Sequence, residues 1–248
     1  MAEQTSTPIE ALAQRLDEAA QAVRPVPQLT AAEPLSPATA YQVQSALISR
    51  RLARGEQLVG LKLGLTSKAK MAQVGVDEMI WGRLTDRMRL ADGDAIDLAE
   101  LIHPRAEPEV AFRLDATGRP EAVAAALEVI DSRYTDFRFS LPDVIADNSS
   151  AARFVIGPWC PVPPGLANLG VLLEVDGRVV QTGSTAAILG DPYRALARGL
   201  ALAAADAGLS PQSGWILLAG AATAAQPLRR ASHVRVVVEG LGTATLTT

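Results

Sequence analysis

The stretch His103-Pro104-Arg105-Ala106-Glu107-Pro108-Glu109-Val110-Ala111-Phe112 decides how the chain is read. It opens a β-strand, Val110 to Leu114, entered through two prolines. Side chains alternate faces along a strand, so Glu107 and Glu109 project together, with Ala111 after them. Pro108, Val110, Phe112 and Leu114 take the opposite, core-facing side. Two adjacent carboxylates repel, and burying them unpaired is costly. A hard divalent cation, Mg²⁺ or Mn²⁺, relieves that cost because it prefers carboxylate oxygens. An isolated Glu-x-Glu is also common on solvated strand edges, so the pair needs support from elsewhere in the chain.

The bulk properties narrow the chemistry. With 248 residues there is ample core for one large domain or two small ones. Hydrophobic residues make up 48% and charged residues 20%, the balance of a soluble globular enzyme. The net charge of −4 and the lack of a basic block argue against nucleic-acid binding. Met1 to Glu10 is polar, without a secretory core, and no apolar run reaches bilayer-spanning length. A single cysteine, Cys160, cannot close an internal disulfide; together these features set a cytoplasmic expectation. The two histidines, His103 and His233, exclude a His-rich metal centre, and neither lies beside a nucleophile elbow. The chemistry is left to carboxylates, lysine and a hard metal.

Outward from the central stretch, apolar spacing from Ile9 to Val23 predicts a helix. Ser36-Pro37 starts a second helix, running to about Ala53 and stopping at Gly55. Residues 1–56 thus read as an N-terminal helical arm and 57–248 as the main domain. Leu58 to Leu65 is an apolar strand with Gly60 and Gly64, where backbone can approach a ligand closely. Lys62 sits inside it, either held by a partner or snorkelling to solvent. Thr66 or Ser67 caps a short helix, Lys68 to Val74, and Ile80 to Met88 reads as loop, then strand. Gly118-Arg119-Pro120 starts a helix to about Leu127. Glu128 then follows between Leu127 and Val129, as a third cation ligand or as the polar face of that helix's end. The Asp147-Asn148-Ser149-Ser150 cluster suits hydrogen bonds to a ligand or a tight turn. Asp176-Gly177 turns a hairpin, Asp191-Pro192 caps a helix ended by Gly208, and a second hairpin closes the chain. The order argues for α+β with a mixed or antiparallel sheet.

Four motifs then occur in order: Gly60-Leu61-Lys62-Leu63-Gly64-Leu65-Thr66-Ser67, Glu107-Pro108-Glu109, Leu127-Glu128-Val129-Ile130-Asp131-Ser132-Arg133, and Ala146-Asp147-Asn148-Ser149. This pattern resembles the hydratase/decarboxylase branch of the fumarylacetoacetate hydrolase superfamily, over about Val43 to Leu246. Ile80 to Asp86, Ser132-Arg133-Tyr134 with Phe137 and Phe139, and Gly220 to Thr223 through Val234-Arg235-Val236 resemble its decarboxylases more than its hydratases. Ala231-Ser232 stands where a Gly-Asp turn is usual.

The resemblance implies a mixed β-barrel or roll with flanking helices, and one Mg²⁺ (or Mn²⁺) on Glu107, Glu109 and Glu128. Lys62 falls on the family's active-site lysine; partial burial near the cation is expected to lower its pKa. Ser67, Asn148 and an arginine such as Arg83 or Arg153 are candidates for substrate contacts, with Arg83 placed at the mouth of the site. The implied reaction is decarboxylation of 2-oxohex-3-enedioate to 2-hydroxypenta-2,4-dienoate, in the meta-cleavage catabolism of aromatic compounds. Hydration of 2-hydroxypenta-2,4-dienoate, or a silent subunit supporting a partner enzyme, are the alternatives. A homo-oligomer, with a hydratase as possible companion, is the expected assembly.

Overall fold

The computed structural model describes residues 8–67, 71 and 78–248. Two helices come first, α1 (Pro8–Ala22) and α2 (Pro37–Ala53); the Ser36 side chain caps α2 by accepting from Thr39 N–H at 3.0 Å. Strands β1 (Leu58–Gly64), β2 (Ile80–Thr85), β3 (Arg89–Leu90), β4 (Arg105–Leu114) and β5 (Pro120–Ile130) follow. A short helix α3 (Leu141–Ala146) precedes β6 (Ala151–Ile156), β7 (Gly170–Val175) and β8 (Arg178–Ser184). Helix α4 (Pro192–Ala207), β9 (Ile216–Ala221), β10 (Gln226–Pro227), β11 (His233–Val238) and β12 (Gly242–Thr247) complete the order.

Among the described residues the strands form two sheets. The larger runs β2-β1-β9-β4-β5-β6-β3, with β10 on β4, and the smaller runs β12-β11-β7-β8. One face of the large sheet (Val110, Phe112, Leu127) packs on Leu173, Val236 and Leu246 of the small one. The other face curls inward over alanines, Ala111, Ala124 and Ala126, which leave room for Leu84, Phe154 and Leu218. Strands β2 and β6 touch across this curl, so the sheet is a half-barrel, the α+β roll that was expected. A third apolar cluster joins Leu16, Val43 and Leu47 of the helices to Ile80, Tyr134 and Val144. Buried Gln44 of α2 pins that contact by donating to Trp81 O (3.0 Å) and Ile145 O (2.9 Å).

Three local expectations are corrected, and one helix was not anticipated. The segment predicted as a helix from Gly118 to Leu127 is strand β5, paired along its length with β4 and with β6. Its alanines favour a helix intrinsically, but a place in the middle of a sheet overrides propensity. The turn before it is held by Asp115 Oδ1, which accepts from Thr117 N (2.7 Å) and Arg119 N (2.9 Å). Ile80 to Met88 is strand then 3-10 turn, the reverse of the expected order. The segment Leu141 to Ala146 is a helix with a reciprocal Ser140–Asp143 capping box, a start signal the polar cluster after it obscured. Finally, Gly60 does not bring backbone to a ligand. A Cβ there would lie 1.9 Å from Ile216 O, so the glycine lets β1 lie against β9. The helix expected over Lys68 to Val74 lies outside the described residues, Met71 aside.

Candidate metal centre

Strand parity builds the centre. Glu107 and Glu109 share one face of β4, and the hairpin register sets Glu107 opposite Glu128 and Glu109 opposite Ala126. The small Ala126 leaves Glu109 space beside Glu128. All three carboxylates are buried (8%, 1% and 0% exposed), and they offer oxygens within 4.8 Å of one another. Lys62 of β1 is 2% exposed; its Nζ lies 3.0 Å from Glu128 Oε2 and donates to Ser149 O at 2.9 Å. Glu109 Oε2 accepts from Gly220 N at 2.8 Å. Gly220 has φ +108°, and a Cβ there would strike Thr66 Oγ1 at 2.2 Å, so only glycine presents that amide.

The electrostatics call for a cation. Burial, reinforced by Glu128, pushes the Glu109 carboxyl well above its usual range. Burial also raises Glu128, with Lys62 opposing and Glu107 adding to the rise. Burial opposes the charge on Lys62, yet Glu128, Glu107 and Glu109 outweigh it and hold the ammonium above its ordinary pKa. The expected lowering of Lys62 therefore does not hold for the carboxylate cluster by itself. Glu109 Oε1 and both Glu128 oxygens are buried and accept no hydrogen bond; Glu128 Oε2 has only the ion-pair approach of Lys62. Three converging carboxylates, two of them with buried oxygens that accept no hydrogen bond, form a donor set that a divalent ion completes. All-oxygen donors fit Mg²⁺ or Mn²⁺.

Lys62 and Glu107 line a cavity of about 150 Å³, together with Thr66, Ser149 and Ser150. Apolar side chains, Ile80, Ile130, Phe137, Phe139 and Val144, also line it. Glu109 and Glu128 are not part of this lining; they lie deeper, in the buried carboxylate cluster. A 4-oxalocrotonate decarboxylase from Pseudomonas sp is 48% identical over 251 residues, covering 97% of this chain and 98% of the relative. The chain belongs to the hydratase/decarboxylase branch of the fumarylacetoacetate hydrolase superfamily. A 2-hydroxyhexa-2,4-dienoate hydratase from Comamonas testosteroni is 33% identical over 96% of both chains. The solved structure of 4-oxalocrotonate decarboxylase from Pseudomonas putida G7, complexed with magnesium and adipate, matches with a TM-score of 0.92 at 36% identity and covers 99% of both chains. No family model matches the chain.

On this fumarylacetoacetate hydrolase-like frame, the remaining site candidates scatter. Gly82 faces Lys62 across the β1–β2 ladder, so Arg83 takes the opposite side of β2. There its Nη1 donates to Gln44 Oε1 at 2.6 Å and its guanidinium stacks 4.7 Å from the Trp81 ring centroid. Asn148 is used on the backbone of Arg83, accepting from its N (2.7 Å) and donating to its O (2.9 Å). Arg153 pairs with Glu100 at 3.0 Å and, with Asn148, lines a separate cavity of about 250 Å³ between the arm and the sheet. Arg83, Asn148 and Arg153 thus lie outside the lining of the carboxylate cavity, because strand parity and existing partners aim them elsewhere. Ser67 follows Thr66 at the cavity, and its carbonyl accepts from Met71 N at 2.9 Å.

The cluster Asn148-Ser149-Ser150 contributes differently from expectation. All three residues have positive φ (50°, 51° and 60°), a strained run in non-glycine residues. That run aims the Ser149 carbonyl at Lys62 and leaves the buried Ser150 Oγ without a partner on the cavity wall. Asn148 was the member singled out from the sequence; the carbonyl that faces Lys62 is that of Ser149. Phe137 and Phe139 entered only through the family resemblance, and their place on the cavity wall carried no local signal.

Proposed function

We propose that the chain decarboxylates 2-oxohex-3-enedioate to 2-hydroxypenta-2,4-dienoate and CO₂, with Mg²⁺ (or Mn²⁺) on Glu107, Glu109 and Glu128. The carrying observation is a buried three-carboxylate cluster, paired with Lys62, in a chain 48% identical over its length to a 4-oxalocrotonate decarboxylase. The cation supplies Lewis acidity toward the keto oxygen of a 2-oxo acid. Lys62 Nζ, fixed by Ser149 O, holds a proton beside that oxygen. As the bond to the distal carboxylate breaks, its electron pair moves through the carbon chain to the keto oxygen, which takes a proton from Lys62 Nζ. The apolar walls, Phe137, Phe139 and Val144, exclude water and suit neutral CO₂.

A hydratase reading has the 33% identical hydratase in its favour. It needs a water positioned at the terminal alkene, and the apolar lining residues, Ile80, Ile130, Phe137, Phe139 and Val144, offer it no anchor. Retention of all three glutamates and Lys62 argues against a silent subunit. The assay that separates these readings follows CO₂ release from 2-oxohex-3-enedioate, and water addition to 2-hydroxypenta-2,4-dienoate, with Mg²⁺. Rapid CO₂ release with slow hydration is expected. Loss of the dienoate without CO₂ release from the diacid would make the chain a hydratase. The same reading places the chain in the cytoplasm as a homo-oligomer, with a hydratase as companion to consume the unstable dienol. Among the described residues, no helix is long and apolar enough to cross a membrane.

A further inference from the structure

The proposed substrate has a second carboxylate that the carboxylate cluster and Lys62 cannot hold, and Ile80, Ile130, Phe137, Phe139 and Val144 of the lining offer it no charge. A cation beside the cavity would meet it. Arg83 is turned away onto Gln44, Arg133 is paired with Asp147, and Arg153 is paired with Glu100 in the other cavity. Arg105 differs from all three. It stands two residues before Glu107 on β4, so it shares the face of Glu107 and Glu109. Its Cα is about 6.6 Å along the strand from that of Glu107 at the usual rise. Across the hairpin it meets Ile130, which lines the carboxylate cavity. Its guanidinium carbon lies 4.0 Å from the centroid of the Phe137 ring, and Phe137 also lines that cavity. Arg105 is half-buried, and among the described residues no carboxylate forms an ion pair with it. The ring beneath it is held by backbone that is costly for such residues, φ 59° at Asp136 and 57° at Phe137. Phe139 (5.4 Å) and the edge of His103 (6.3 Å) brace it further.

Arg105 is not itself part of the cavity lining, but it lies against two residues that are, Phe137 and Ile130. We infer that Arg105, laid over Phe137 beside the cavity, captures the distal carboxylate and makes the site select dicarboxylic 2-oxo acids over monocarboxylic ones. This rests on the decarboxylase reading. A guanidinium fork recognises a carboxylate with two parallel hydrogen bonds. Half-buried rather than enclosed, Arg105 steers and orients the diacid. A buried clamp would instead stabilise the charged ground state against loss of CO₂.

The test is calorimetric titration of the Mg²⁺-loaded protein with 2-oxohexanedioate and with 2-oxohexanoate. The natural chain is expected to prefer the diacid by roughly tenfold or more. Arg105→Met, which keeps the apolar stem over Phe137, should erase the preference and leave monoacid binding unchanged. Arg105→Lys should keep part of it. With 2-oxohex-3-enedioate, Arg105→Met should raise KM about tenfold and change kcat by less than about threefold. A preference that survives Arg105→Met, or equal loss of both ligands, overturns the inference. Monoacid binding reports that each variant is folded, and Arg105→Lys tests the charge should Arg105→Met fail to fold. An Arg105-dependent preference without CO₂ release would sink the decarboxylase reading alone. CO₂ release with an Arg105-independent preference would sink this inference alone.

Discussion

At Glu128, the innermost carboxylate, burial pushes the carboxyl up, Lys62 opposes it and the charge of Glu107 adds to the rise. Removing its charge should relieve repulsion and at the same time remove a metal ligand. Mg²⁺ at a hundred times its Kd should stabilise the natural chain by about 2.7 kcal/mol, roughly 5–10 °C in Tm for a chain of this size. Glu128→Gln should lose that shift in scanning fluorimetry; an unchanged shift would remove Glu128 from the metal centre. Lys62 competes with a cation for Glu128, so Lys62→Met should bind Mg²⁺ at least as tightly while kcat falls by about a hundredfold or more. Weakened Mg²⁺ binding with normal turnover would return Lys62 to a structural role. Sequence could reach Glu107 and Glu109 because period two is local. Glu128 was reached from its place in an apolar run, with a helix-end alternative left open, and from its motif: its position opposite Glu107 is a hairpin register, which no spacing in the chain reveals. The side of β2 that Arg83 takes was hidden for the same reason, since it depends on the Lys62–Gly82 pairing.

Strand β5 shows what decides an element when local preference and packing disagree. Pro120 to Ile130 is rich in alanine, and an isolated chain of that composition favours a helix. In the sheet, the alanines on one face are the small residues that let the half-barrel close over Ala111 and Phe154. Ala124 lies opposite Ala111, and both are 0% exposed. Ala124→Leu should therefore overpack the curl and cost about 1–3 kcal/mol, although leucine is a similarly good helix former. Urea denaturation with unchanged slope and a lower midpoint is the expected result. A neutral substitution would mean the curl has spare volume. Elements with local punctuation were legible from sequence: Ser36-Pro37 and Asp191-Pro192 cap helices, and Asp176-Gly177 turns a hairpin. Those whose identity depends on neighbours, β5 and the curl, were not.

For the whole molecule, one carboxylate holds the arm together, and apolar contacts, Gln44 and a second carboxylate join it to the body. Asp17 of α1 accepts from Arg54 Nη1 and Nη2 at 2.7 Å and from Arg50 Nε at 3.0 Å, which ties α1 to α2. Asp143 of α3 accepts from Thr30 N (3.0 Å) and Thr30 Oγ1 (2.7 Å), which ties the α1–α2 connection to the body. Burial works against both charges, yet Arg54 and Arg50 at Asp17, and Ser140 and Thr30 at Asp143, hold both carboxyls below their ordinary pKa. A carboxyl depressed in the folded state stabilises fully above its unfolded pKa, about 3.9, and that contribution is lost as pH falls through the folded value. From neutrality to about pH 5 these two groups should leave stability unchanged, and below about pH 4 the arm should loosen. The sheet keeps its apolar interior under the same conditions, since β4 and β5 carry no such tie to the arm. We propose that residues 8–56 undock before the roll opens. Hydrogen-exchange protection factors in α1 should fall below about pH 4 while those of β4 and β5 persist. Asp143→Asn, which forfeits the charge at every pH, should lower α1 protection already at neutrality and flatten its acid dependence. Simultaneous loss of protection in α1, β4 and β5 would show that arm and roll open as one cooperative unit.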